Sequence, residues 1–146
     1  MVSKPQMKRF CVIDGQGGGI GAALIKSLKE TYGESVELIG LGTNAIASAQ
    51  MLKAGANRGA SGENAIVQTV RTADLILGPI AITWANAMLG EVTANMAAAI
   101  TSSPAPKILL PLTQEPVVVA GVVLEPLPHM VQRIVNKIIK EVLPDV

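Results

Sequence analysis

The chain has 146 residues, with 49% apolar, 16% charged and 14 glycines, which excludes a disordered chain because disorder needs low hydrophobicity and high charge. At this length a domain buries roughly 70% of its unfolded surface, so one real core is expected. A net charge of +1 excludes a general nucleic-acid binder, and the lone cysteine, Cys11, excludes a disulfide scaffold.

Residues 1–6 carry Pro5 and no periodic pattern, and read as a mobile leader ahead of a single domain over 7–146. Residues 8–14 form a short apolar strand that runs into a glycine cluster. Residues 20–32 are helical, with Ile20, Ala23, Leu24 and Leu28 on one face and Gly33 at the C-cap position. A second strand, 36–41, precedes a helix over 43–54 with Thr43 as N-cap and Gly55 as its stop. Residues 61–72 form a third helix capped by Ser61, with Glu63 in its first turn. A third strand at 75–77 is closed by Gly78-Pro79. Helices follow over 80–89 and 93–102, then strands over 107–112 and 117–123. The closing helix over 128–143 shows Val131, Ile134, Val135, Ile138, Ile139 and Val142 as one apolar stripe.

Alternating strands and helices, with strands that are continuous apolar runs, imply an α/β fold of three layers around a mainly parallel sheet. Only four residues, 113–116, separate the last two strands, too few for a parallel crossover. Four parallel strands plus an antiparallel edge at 117–123 are therefore expected. The expected order is 2-1-3-4-5, with 3-2-1-4-5 as the alternative, counted over the strands at 8–14, 36–41, 75–77, 107–112 and 117–123. The lightly charged stretch 75–106 holds one charge, Glu91, but Gly78-Pro79, Gly90 and Pro104 break it below the ~20 residues of a spanning helix. Only Phe10-Cys11-Val12-Ile13 follow the basic N-terminal residues, too few for a secretory signal. A cytoplasmic protein without a membrane partner is expected.

The most informative motif is Asp14-Gly15-Gln16-Gly17-Gly18-Gly19-Ile20-Gly21, where the first strand turns into the first helix. Glycines there permit a sharp turn, close approach of a ligand and tight helix-on-strand packing, which makes the reading Rossmann-like. The helix start lacks a Ser, Thr, Asp or Asn cap, so its N–H groups at the positive end of the helix dipole form an anion site. The spacing through Gly15, Gly19 and Gly21 resembles the cofactor loop of short-chain dehydrogenases over about eight residues. That resemblance stops there: Tyr32, the one tyrosine, is not followed by a lysine at the family's spacing. No ribose-binding acid stands at Gly40-Leu41-Gly42-Thr43-Asn44, and no Gly-Lys-Ser/Thr follows the loop as a P-loop requires. Asp14 is also one residue out of phase with the loop of methyltransferases that bind S-adenosylmethionine.

Asp14 has three readings: it holds Mg²⁺ that bridges to phosphate, it binds a ligand hydroxyl, or it folds back to cap the helix start. Gly42, Thr43 and Asn44 after the second strand, and Gly78 and Pro79 after the third, belong to the same sheet edge. Arg58, in the polar segment 56–64, is the arginine available to pair an anionic group there. Glu91 is either the first-turn acid of the following helix or a site carboxylate. Cys11 reads as a buried small hydrophobe, and lone His129 has no second metal ligand.

Beyond the loop, Val-Ile-Asp-Gly-Gln-Gly-Gly-Gly-Ile-Gly at 12–21, Leu-Gly-Thr-Asn-Ala-Ile-Ala at 41–47, the segment 54–65 and Gly-Pro-Ile at 78–80 resemble a family of small uncharacterised bacterial proteins known as a domain of unknown function. The likeness runs from about Met7 through nearly the whole chain. It implies one compact domain and a bacterial cytosolic setting, and no activity. Two classes of function stand open. One is the binding of a nucleotide, dinucleotide or other phosphate-bearing small molecule at the loop, with or without Mg²⁺. The other is an oligomeric structural or regulatory protein with no ligand. A homodimer is expected from the apolar stretch 80–102, with contacts at Trp84, Met88, Met96 and Ile100.

Overall fold

The computed structural model describes residues 7–146, so the leader read at 1–6 lies outside the described residues. In chain order the elements are β1 (Lys8–Asp14), α1 (Gly19–Tyr32), β2 (Val36–Gly42), α2 (Ala45–Ala54), β3 (Arg58–Ser61), α3 (Glu63–Thr69), β4 (Leu75–Pro79), α4 (Ala94–Ser102), β5 (Lys107–Leu110), α5 (Leu127–Arg133) and α6 (Ile139–Val142). A π-helical turn, Ile134–Ile138, joins α5 and α6 into one closing helix. The sheet runs β3-β2-β1-β4-β5, with every pairing parallel.

Successive strand residues point to opposite faces, so each apolar strand feeds two cores. On one face Phe10, Val12, Leu38, Leu75 and Leu77 pack under Leu24 and Leu28 of α1 and Val131, Val135 and Ile139 of the closing helix. On the other, Cys11, Ile13, Leu41 and Ile76 pack against Ile66 of α3 and Met96 and Ile100 of α4. The result is the three-layer, Rossmann-like arrangement expected from the alternation. Among the described residues no helix is long and apolar enough to cross a membrane.

The antiparallel edge does not form. Residues 117–123 have no ladder partner: Val117 and Val122 make only local backbone bonds, to Glu115 and Val119, and Gly121 sits at φ +82°. Valines favour a strand only where a pleated neighbour exists to pack them, and here none does. The sheet gains its fifth strand elsewhere, at Arg58–Ser61, a polar and exposed run without strand composition. The order 2-1-3-4-5 is therefore replaced by 3-2-1-4-5. The digits match the alternative order, but its third strand was 75–77, which here is β4.

Other differences are local. Asn44, not Thr43, caps α2, its side chain accepting the Ala47 N–H at 2.9 Å. Ser61 ends β3 and α3 starts after Gly62. Residues 80–89 give only one 3-10 turn, Ile80–Thr83, before a tight loop in which Asn86, Met88 and Leu89 take φ of 68°, 58° and 57°. The Asn86 N–H bonded to the Val92 carbonyl closes this loop, which removes the helix. Met88, Met96 and Ile100 are buried in the chain's own core and Trp84 packs against it, so the contact placed on those four residues is not at the surface.

Candidate functional site

β1 ends at Asp14, level with Gly42 of β2, which is level with Ser61 of β3. On its other side β1 pairs with β4, so the glycine loop opens at the point where the chain leaves β1 for opposite faces of the sheet. In open α/β sheets that crevice is where ligands bind.

Asp14 folds back, the third of its three readings. Its carboxylate accepts the Gly15 N–H and the Gly21 N–H, each at 2.7 Å, and the residue is 3% exposed. Burial pushes its carboxyl above the usual range, opposed by those N–H groups and reinforced by the nearby charge of Glu91. The helix start is thus partly capped by a residue seven positions upstream. The N–H groups of Gly17 and Gly19 have no protein partner among the described residues.

The glycines divide by cause. Gly18 sits at φ +75°, and a Cβ there would lie 2.9 Å from the Ala47 backbone. A Cβ at Gly21 would lie 2.7 Å from the Met51 sulfur, so this glycine seats α1 on its neighbours. A Cβ at Gly15 would strike Thr43, Met88 and Glu91. Gly42 and Gly78 would strike the carbonyls of Asn44 and Ile13, so both serve the turn of the chain. Only Gly17 and Gly19 within the loop face open space.

Glu91 is the organiser that its sequence position alone leaves undecided. One oxygen, Oε1, accepts the Gln16 N–H at 2.8 Å, the Thr43 hydroxyl at 2.7 Å and the Asn44 amide at 2.7 Å. Asn44 also donates to the Gln16 carbonyl at 3.0 Å. Burial pushes the Glu91 carboxyl up, but these three donors outweigh it and hold the group below the usual range. Glu63, by contrast, accepts the Thr93 hydroxyl from the next helix cap.

Beside this hub lies a cleft of about 640 Å³. Asp14, Gln16, Ile20 and Pro79 form one wall, and the loops holding Asn86, Met88 and Leu89 and Thr113, Gln114 and Glu115 form the other. Glu115 accepts the Met88 N–H at 2.8 Å, which ties the two loops together. Among the described residues the non-glycine positions with positive φ are Gln16, Asn86, Met88 and Leu89, and all four line this cleft. The second wall carries no motif, and its only sequence signals are the polar residues of 113–115 and the isolated Glu91.

Arg58 is not part of this assembly. It lies three residues before Ser61, so ~10 Å below the edge along the strand, with its guanidinium on Glu37 at 2.6 Å. Among the described residues no group of three His, Cys, Asp or Glu is placed to hold a metal. Asp14 has both oxygens engaged by N–H groups, so Mg²⁺ would find no protein cage here and would have to arrive with a phosphate.

Residues 9–143 match a family described as Domain of unknown function (DUF3842). No curated protein matches the chain. Among solved structures, one described as "Crystal structure of universal stress protein in complex with cAMP" is 20% identical, with a TM-score of 0.41, over 72% of this chain and 98% of that one.

Proposed function

Because the chain belongs to the DUF3842 family, whose description assigns no activity, we propose from its own geometry that it binds a phosphate-bearing small molecule of the nucleotide class in the switch-point cleft. The observation that carries this reading is the cleft of about 640 Å³ beside two loop glycines, Gly17 and Gly19, that face open space. Ligand pockets span ~300–1,000 Å³, so a nucleotide fits. The 14-residue α1 directs its positive end at the loop, which favours an anion there. Asp14 confines that anion to the Gly17 and Gly19 side, away from its own charge. Ile20 and Leu112 offer apolar surface for a flat ring, and Gln16, Asn86 and Gln114 offer amides to its polar edge.

A thermal-shift panel tests this: adenine and guanine mono-, di- and triphosphates, NAD⁺ and inorganic phosphate, each with and without Mg²⁺. A ligand at 100 times its Kd adds ~2.7 kcal/mol of apparent stability. Gly19→Val should erase the shift, because a side chain there occupies the open approach without meeting protein. No shift across the panel refutes the reading. It would instead favour a ligand-free structural or regulatory protein, in which the bond from the Gly21 N–H to Asp14 is the whole purpose of the loop.

A further inference from the structure

Residues 117–124 read Val-Val-Val-Ala-Gly-Val-Val-Leu, eight positions without a charged or polar side chain. They lie on the surface: Val118 is 94% exposed, Val123 81%, Leu124 66%, Val117 44% and Val122 42%. Together these side chains expose on the order of 500 Å², near the upper end of the ~300–600 Å² that the largest patch of a monomer spans. Beside this ridge runs a groove of about 290 Å³, with Val119 and Val122 on one wall and Ile108, Leu110, Ile134 and Ile138 on the other. β5 is the last strand of the sheet, so its outer edge has no strand partner among the described residues.

We propose that this surface is a two-fold interface between two copies of the chain. An isologous contact requires a ridge and a receiving groove on the same patch, and both are here. The charges nearby are already engaged within the chain, Glu125 with Arg133 and Glu115 with the Met88 N–H, so no charge pattern selects a different partner. A net charge of +1 leaves two copies with little mutual repulsion. The ridge, the groove walls and the β5 edge together approach the ~800 Å² per partner of a standard interface. The contact also reaches the ligand site, because 112–115 form part of the cleft wall and run directly into this segment.

Sedimentation velocity on the full chain at micromolar concentration tests the proposal. The expected mass is that of two chains. The double variant Val118→Lys with Val123→Lys should dissociate at least about tenfold more readily, since it places like charges in an apolar contact, while its far-UV circular dichroism is unchanged. Val118→Ser alone should weaken the dimer in the same direction. A wild-type chain that sediments as one copy overturns the proposal, as does a dimer indifferent to the double variant. A monomer that instead co-sediments with phospholipid vesicles would assign the patch to a lipid surface and equally overturn it.

Discussion

Asp14→Asn isolates the role of the buried carboxylate. In the wild type both oxygens accept backbone N–H groups at 2.7 Å, closing the Gly15 turn and the first turn of α1. Asparagine keeps one acceptor and puts an NH₂ where the other stood, so one N–H loses its partner in a position that is 3% exposed. A hydrogen bond to a charged group contributes about 1.5–3 kcal/mol, and an orphaned buried donor costs about 1–3 kcal/mol. Part of that is returned, because burial makes the Asp14 charge costly, as its raised pKa records. The net expectation is a loss of about 2 kcal/mol, or about 4–8 °C in Tm for a domain of this size. Thermal and urea unfolding followed by circular dichroism measure it, with an unchanged m-value expected. A variant that melts within about 1 °C of wild type would refute the capping role. The same protein separates the modes of binding: any shift caused by a nucleotide should survive Asp14→Asn, whereas a metal held by Asp14 would make it vanish.

Glu91→Gln should loosen the junction of three loops, read as faster amide hydrogen exchange at Gln16, with the fold retained. The pH dependence has a defined sign. Glu91 has a folded pKa below 4.5, so its contribution is present above that value and is lost as pH falls through the folded pKa. Acid titration of Glu91→Gln should lack that component, and identical acid profiles would contradict the hub. Burial pushes the Cys11 thiol up to about 12, so it should resist thiol reagents at about pH 8 until the chain is unfolded. Val135→Asp places an unpaired charge at a fully buried position of the closing helix and should cost more than ~4 kcal/mol or prevent folding. Exposed Lys137→Asp should stay within ~0.5 kcal/mol, and equal tolerance of the two would show that the stripe is not packed.

What the sequence discloses follows the reach of each signal. β1, β2, β4 and the closing helix are legible because their apolar residues repeat at the period of the element and face helices or the sheet. β3 is not legible, because Arg-Gly-Ala-Ser has neither apolar alternation nor branched residues and is a strand only through its pairing with β2. The reverse holds for 117–123, where strand composition meets no partner. The loop over 84–92 reads as helix because Ala, Met and Leu favour helix, yet its N–H groups go to distant acceptors such as Glu115. Half of the candidate site was legible in the Asp14–Gly21 motif. The cap on Gly21 was missed because capping rules look within a few residues, and Asp14 stands seven away. The Glu91 hub spans 75 residues to Gln16, a distance no local pattern can carry.

The dependence of three loops on Glu91 also sets an order in time. Synthesis delivers β1, the glycine loop and the Thr43-Asn44 turn well before residue 91 leaves the ribosome. During that interval the Gln16 N–H, the Thr43 hydroxyl and the Asn44 amide have only water to bind, and β1 waits with one edge open for β4. A nascent chain therefore carries the glycines of the site before it carries the site, and a ligand has nothing rigid to meet until translation has passed the second half of the sheet.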